Sequence, residues 1–176
     1  MLDNISITGI TPLESYPKWC SIKNCKQNMQ QVNVCIPCQK PDIESIDEIK
    51  TTICINKVKL SNTILGPKAL IYGVFKIKVI YTAKNCEQSV HSAHWDIDFC
   101  DFILLNNMHY DEYEICNAKH FIGLEDICIN AYNERFLDLS LLYITCIDLN
   151  NKVCINPCNN ICQNPCDNIC QNPCDF

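Results

Sequence analysis

The sequence predicts an all-β protein: an antiparallel β-sandwich or jelly-roll-like domain with an extended N-terminal arm and a cysteine-rich repeat tail. Composition is the first of three observations, because 25 isoleucines stand against 5 alanines and 4 glycines among 176 residues. β-Branched residues favour strands, whereas alanine favours helices. Second, apolar and polar residues alternate over long stretches of the chain. Third, these stretches follow one another without helical patterns between them, which indicates antiparallel sheets.

The alternating segments predict the individual strands, because period-two alternation is typical of strands buried on one face. Shorter strands are predicted at 5–10, 51–60, 110–116 and 125–131, with a tight hairpin connection at 133–135. Three longer segments have predicted inner faces made of Ile71, Phe75, Ile77, Val79 and Tyr81; of Ala93, Trp95, Ile97 and Phe99; and of Leu137, Leu139, Leu141, Tyr143, Ile147 and Leu149.

The chain divides into three predicted regions. Residues 1–40 form the arm, because several prolines interrupt regular structure there. Residues 41–150 carry the strand patterns and form the sandwich domain. Residues 151–176 form the repeat tail, which follows the last predicted strand.

The tail is a true repeat. Cysteine occupies every fourth position from Cys154 to Cys174, and an Asn-Pro pair recurs every eight residues. Because proline in a helix interior removes an amide donor and clashes with the preceding turn, we predict a ribbon of tight turns. The alternative is a disordered low-complexity tail.

Charge and hydropathy exclude two classes of partner. The formal net charge is −6 and no basic run stands out, so we expect no nucleic-acid partner. No window approaches 18 consecutive apolar residues, so we expect no membrane span. The N-terminus also lacks the pattern of a signal peptide, which predicts synthesis in a reducing cytosol despite the high cysteine content.

Zinc binding is one interpretation of the cysteines. Cys35 and Cys38 have the spacing of half a zinc site, and Cys20 and Cys25 would have to supply the other half. The uniform register of the tail is unusual for zinc, since its four ligands must converge on one point. We therefore expect no bound metal and no cofactor, and keep a cysteine-rich metal-binding protein as an alternative.

Catalysis has no comparable support in the sequence. No strand-to-helix pattern follows Cys35 and Cys38, as thiol redox catalysis would require. His91 and His94 are three residues apart on a predicted strand, so they face opposite sides and cannot share an ion. No combination of acid, base and nucleophile stands out, and we expect that the protein is not an enzyme.

Covalent cross-linking accounts for more of the cysteines, since they are concentrated at both ends of the chain. A disulfide between subunits makes a contact permanent, and one within a chain typically adds about 2–4 kcal/mol of stability. The candidates for intersubunit disulfides are Cys20, Cys25, Cys35, Cys38, Cys154, Cys158, Cys162, Cys166, Cys170 and Cys174. The candidates for disulfides of the body are Cys54, Cys86, Cys100, Cys116, Cys128 and Cys146, each of which could instead be a small buried apolar residue.

Five segments of the body resemble the SPOCS domain, a family of clostridial spore-coat and exosporium proteins. They are QKPDIESI at 39–46, KVIY at 78–81, SVHSAH at 89–94, DF at 98–99 and ICINAYNER at 127–135. The resemblance covers roughly residues 36–149, and SVHSAH is its most specific part. The cysteine-repeat tail is not part of the family pattern, and the chain has one copy of the domain and no LysM segment.

The resemblance implies a β-rich structural protein of the spore, made in the mother-cell cytoplasm and oxidised after that cell lyses. We therefore expect a self-assembling subunit of the spore surface, either a coat or exosporium layer or an appendage fibre, cross-linked by intersubunit disulfides. Its partner is expected to be itself, with other spore-surface proteins as further candidates. The alternative to self-assembly is a coat-assembly adaptor that binds another spore protein through an exposed sheet edge.

Overall fold

The computed structural model describes residues 5–20, 24–105 and 110–149. A 3₁₀ turn lies at Leu13–Ser15, and helix α1 lies at Glu112–Asn117. Within the described residues, no helix is long and apolar enough to cross a membrane. The strands of the same residues are β1 (Ser6–Thr8), β2 (Cys25–Cys35), β3 (Ile43–Thr63), β4 (Gly66–Ala83), β5 (Val90–Leu104), β6 (Lys119–Tyr132) and β7 (Phe136–Asp148).

The strands form two sheets that pack as a β-sandwich, which confirms the predicted fold class. One sheet has the strand order β1-β3-β4-β5, and the other has the order β2-β7-β6. All pairs are antiparallel except β1 with β3, which is parallel. The hairpin connection predicted between β6 and β7 is present, because Asn133 and Phe136 are joined by a backbone hydrogen bond of 2.9 Å.

The predicted inner faces form the core between the sheets. An aromatic group lies at its centre: the ring of Phe75 on β4 is 4.8 Å from that of Phe99 on β5 and 5.2 Å from that of Tyr143 on β7. Burial, with the charge of Asp101 close by, raises the pKa of Tyr143 to about 12. The fully buried side chains around this group include Ile77, Val79, Tyr81, Leu137, Leu139 and Leu141.

The structure places part of the predicted arm inside the sandwich. β1 pairs with β3, where the Thr8 hydroxyl donates to the Glu48 carboxylate at 2.8 Å. β2 pairs with β7 along its whole length, and Val32 and Val34 lie in the core. Residues 25–35 therefore belong to the sandwich and not to an arm, because prolines on either side of a segment do not prevent that segment from forming a strand.

Arg135 attaches the C-terminal end of the segment predicted as an arm to the connection between β6 and β7. Its guanidinium forms an ion pair with the Asp42 carboxylate. The same guanidinium donates to three backbone carbonyl oxygens, at 2.9–3.1 Å, on Ile36, Pro37 and Lys40. This junction holds the connection from β2 to β3 against the connection from β6 to β7.

The strand predicted at 110–116 is wrong, because Glu112–Asn117 forms helix α1. The Asp111 carboxylate accepts from the backbone N–H of Glu114 at 2.7 Å, and the Glu114 carboxylate accepts from that of Asp111 at 3.2 Å. This capping box satisfies two N–H groups that the first helical turn leaves without partners. The helix buries Ile115 in a second cluster of apolar side chains, which includes Ile71 on β4 and Ile147 on β7.

His120, at the start of β6, predicts a pH dependence of stability. Its side chain is largely buried, and one ring nitrogen is hydrogen-bonded to the backbone of Ile115. The other, Nε2, has no hydrogen-bond partner among the described residues. Burial lowers the pKa of His120 to about 4, below the ordinary 6.5. The unfolded chain therefore binds a proton more readily than the folded one, so stability is full above about pH 6.5 and falls as the pH drops toward 4.

We expect the free energy of unfolding to fall by about 2 kcal/mol between about pH 7 and pH 5 because of His120 alone. Urea unfolding at the two pH values measures it, and the His120→Gln variant should lose this part of the slope. His94→Gln is the matched control, because His94 is exposed on β5. An unchanged slope in His120→Gln would contradict the assignment.

Candidate functional site: sulfur cluster and surface thiols

The pairing of β2 with β7 places Cys25 directly opposite Cys146, and the two form a disulfide with a Cα–Cα distance of 4.0 Å. The bond spans a sequence separation of 121 residues. The sequence predicts an intersubunit bond for Cys25 and a body disulfide for Cys146. The structure corrects the first assignment: Cys25 is bonded within its own chain, because the segment that begins with it is a strand of the sandwich.

A third sulfur lies beside this disulfide. The Sγ atoms of Cys20, Cys25 and Cys146 all lie within 4.8 Å of one another, and we call these three residues the sulfur cluster. Cys146 is fully buried, whereas Cys20 and Cys25 are half-buried. Cys20 is a reduced thiol. Burial raises its pKa, which keeps this thiol protonated at neutral pH.

Local backbone contacts place Cys20 next to the disulfide. Its N–H donates to the Pro17 carbonyl oxygen at 3.0 Å and closes a turn. The Asn24 side-chain amide then donates to the Trp19 carbonyl oxygen at 3.0 Å. The carbonyl oxygen of Asn24 in turn accepts from the Ile147 N–H at 2.9 Å. The turn and β7 are therefore connected through a single residue, Asn24.

Asp101 holds the two strands of the cluster to the other sheet. This β5 residue is only 6% exposed. Its carboxylate accepts from the Lys26 ammonium at 2.8 Å and from the Thr145 hydroxyl at 3.2 Å, and it also accepts from the Asn28 amide. Since Lys26 follows Cys25 and Thr145 precedes Cys146, this carboxylate anchors both strands next to the disulfide.

The sulfur cluster also has the atoms of a thiolate metal site when it is reduced. Three sulfurs this close together could serve as soft-metal ligands, but the disulfide removes two of them. The zinc site considered from the sequence is not assembled. Cys35 is the last residue of β2 and Cys38 lies in the connection after it. At a rise of about 3.3 Å per residue, Cys35 is about 33 Å from Cys25.

Five further thiols face solvent. Cys35 ends β2, Cys100 lies on β5 and Cys128 lies on β6, and each of these is an edge strand of its sheet. Cys38 and Cys86 lie in connections between strands. All five are exposed and reduced. The structure thus places exposed thiols on three sheet edges.

Cys128 makes a hydrogen bond through its thiol, and Cys35 makes one through its backbone carbonyl. The Cys128 thiol donates to the Asp126 carboxylate at 3.7 Å, and the charge of Asp126 raises the pKa of Cys128. The Trp95 indole donates to the Cys35 carbonyl oxygen at 3.2 Å, which leaves the sulfur of Cys35 outside that contact. A carboxylate beside Cys128 disfavours its thiolate, so this thiol reacts more slowly at neutral pH.

The remaining body cysteines are less accessible. Cys54 on β3 is half-buried. Cys116 on α1 is half-buried, and its thiol donates to the Val58 carbonyl oxygen at 3.7 Å. The six cysteines predicted in the tail, Cys154, Cys158, Cys162, Cys166, Cys170 and Cys174, lie outside the described residues.

The two histidines on β5 are separated as expected. His91 is half-buried, with Nε2 3.0 Å from the Ser89 hydroxyl and its ring 6.0 Å from that of Tyr81. His94 is exposed. The pair is therefore not brought together on one side of the sheet.

Sequence reasoning missed the sulfur cluster. Only a partial signal was present, because Val32 and Val34 alternate with Asn33 and Cys35 in the period of a strand. That alternation indicates a strand at residues 32–35, but residues 26–31 are almost all polar and give no pattern that extends the strand to Cys25. The pairing of Cys25 with Cys146 depends on the register between β2 and β7, which no local sequence pattern specifies.

Comparison with models of protein families confirms the family resemblance stated from the sequence. The family model described as SipL, SPOCS domain matches residues 42–130, just over half of the chain. This indicates a sporulation-related protein. No curated protein and no solved structure matches the chain.

Proposed function

Because the chain belongs to the SPOCS-domain family, we propose that it is a self-assembling structural subunit of the bacterial spore surface, joined to neighbouring subunits by disulfides. It builds a coat or exosporium layer or an appendage fibre. Its partners are further copies of itself, and other spore-surface proteins come second. The sandwich supplies a rigid body, and the cysteines outside its core supply the links.

One observation carries this proposal: the exposed thiols are distributed over the outside of the body. Cys35, Cys100 and Cys128 lie on three different edge strands, and Cys38 and Cys86 lie in loops. A thiol kept for packing is normally buried, whereas these five are reached by solvent. Thiols on several sides of one body allow each copy to bond to more than one neighbour, which a fibre or a layer requires.

The chemistry of cross-linking needs an oxidant. Each bond joins one sulfur from each of two chains, and two protons and two electrons leave the thiols. A small-molecule disulfide or dioxygen takes up those electrons once the mother cell has lysed and the surrounding medium is oxidising. Before lysis the cytosol keeps the thiols reduced, so subunits assemble first and are then locked.

The tail is assigned the same role, as the sequence predicts. Its cysteines at every fourth position add thiols to those of the body. Links through the body and links through the tail are separable by substitution, because the tail begins after the last strand.

Gels of spore-surface material with and without reductant test the proposal. We expect high-mass species without reductant and a single monomer band with it. A monomer band in both lanes would overturn the cross-linked subunit and support the adaptor.

Variants of the full chain then identify the links. One variant replaces Cys35, Cys38, Cys86, Cys100 and Cys128 by Ser, and a second replaces the six tail cysteines. We expect each variant to lose part of the high-mass material and the combined variant to lose all of it. Cys116→Ser is the matched control, because that half-buried side chain keeps its hydrogen bond to Val58 as a hydroxyl. A combined variant that still cross-links would contradict these assignments.

A further inference from the structure

The sulfur cluster contains one more sulfur than its disulfide needs. The Cys20 thiol lies within 4.8 Å of both sulfurs of the Cys25–Cys146 bond. A thiolate next to a disulfide can attack it and exchange places with one of its sulfurs. We propose that Cys20, Cys25 and Cys146 form an intramolecular thiol–disulfide exchange centre, in which the bond passes from Cys25–Cys146 to Cys20–Cys146.

The exchange balances without any added reagent. Cys20 loses its proton to solvent, and the thiolate attacks the Sγ of Cys146. The Cys20–Cys146 bond forms as the Cys25–Cys146 bond breaks, and the bonding electron pair leaves on the Cys25 sulfur. Cys25 then takes a proton from solvent, so the chain has one disulfide and one thiol in this cluster before and after.

Burial selects Cys25 as the sulfur that leaves. Cys146 is fully buried, whereas Cys25 is half-buried, and a leaving thiolate is disfavoured in an apolar interior. Attack on Cys146 puts the new charge on the more accessible sulfur. The Asn24 side-chain oxygen lies 3.5 Å from the Cys25 sulfur, where it can accept the hydrogen of the released thiol.

The surrounding contacts keep the three sulfurs together during the exchange. The turn from Pro17 fixes the backbone of Cys20. The Asp101 carboxylate keeps β2 and β7 aligned through Lys26 and Thr145, so loss of the Cys25 bond does not separate the strands. The exchange therefore takes place between side chains that the fold already holds together, and it needs little movement of the backbone.

The consequence is a change in which thiol is available. Before exchange the thiol belongs to Cys20, in the turn, and after exchange it belongs to Cys25, the first residue of the edge strand β2. This inference goes beyond the proposed function and does not depend on it, because the exchange takes place inside a single chain.

Peptide mapping of the oxidised full-length protein tests the exchange. The protein is incubated at about pH 9, where the Cys20 thiol ionises more readily, then quenched with acid, alkylated and digested with trypsin. Cleavage after lysine and arginine separates the three sulfurs into peptides 19–23, 24–26 and 136–152. We expect a fraction of peptide 136–152 to be bonded to 19–23, with the alkyl group on 24–26. That fraction should not change on tenfold dilution.

Two variants and the tail peptide make the result decisive. In Cys20→Ser, peptide 136–152 should stay bonded to 24–26 alone, whereas Cys128→Ser should exchange like the native chain. All six tail cysteines fall in one tryptic peptide, 153–176, so exchange with the tail is recognised directly. The proposal is overturned if the alkyl group remains on 19–23 alone, if the new bond is to peptide 153–176, or if exchange depends on protein concentration.

Discussion

The Cys146→Ala variant should be less stable than the native protein by about 4 kcal/mol, with a melting temperature lower by about 10 °C. The Cys25–Cys146 bond spans 121 residues and joins β2 to β7. A bond over so long a loop strongly restricts the unfolded chain, which is the main source of its stabilisation. Any bond that Cys20 forms with Cys25 in this variant closes only a short loop and restores little.

Adding a reductant distinguishes the effect of losing the disulfide from the effect of losing the Cys146 side chain. Thermal unfolding of the native protein with reductant should approach that of Cys146→Ala, and reductant should leave the variant nearly unchanged. Cys128→Ala is the matched control, because this exposed thiol on β6 is outside the disulfide and surface substitutions usually change stability by less than about 0.5 kcal/mol. Equal melting temperatures for native protein and Cys146→Ala would show that the bond does not form.

The Phe75→Ala variant should lose about 4 kcal/mol of unfolding free energy. The Phe75 ring is fully buried and contacts Phe99 of its own sheet and Tyr143 of the opposite sheet. Its removal leaves a cavity between the two sheets and breaks an aromatic contact that joins them. Urea unfolding followed by circular dichroism measures the loss.

Phe102→Ala is the control for that substitution. Phe102 is 37% exposed on β5. The ammonium groups of Lys26 and Lys68 lie 4.1 and 4.4 Å from its ring centroid. An exposed cation–π contact is worth about 0.5–1 kcal/mol, so this variant should lose far less than Phe75→Ala. Similar losses for the two variants would contradict a core shared by both sheets.

Both expected results concern the folded body of the proposed subunit and not the thiols proposed to link it to its neighbours. The aromatic group is buried and the Cys25–Cys146 bond is made within one chain, so both stabilise the body itself. The exposed thiols of the body are separate from both. Cross-linking can therefore be removed by surface substitutions while the sandwich stays folded, which makes the proposed function testable without confusion with unfolding.

The helix at Glu112–Asn117 illustrates where sequence reasoning fails. Its six residues are too few for a helical period to be recognised, and the sequence pattern predicts a strand there instead. The capping pair Asp111 and Glu114 was the available signal. Long alternating segments such as the one ending at Tyr81 were predicted correctly, because many residues repeat the same pattern and burial enforces it.

The sequence alone determined the strand-rich class, the inner faces of β4, β5 and β7, the hairpin at Asn133 and the concentration of cysteines toward the ends of the chain. These features are local, since a side chain's face on a strand follows from its position in a period of two.

Only the tertiary structure decided which cysteines meet. Cys25 and Cys146 became partners because β2 crosses to the second sheet and pairs with β7 in one register. A shift of one residue in that register would turn each side chain to the other face. Cys20 joined them through a turn and the contacts of Asn24. Pairings between residues 121 positions apart depend on packing of the whole domain, which no short segment of the sequence encodes.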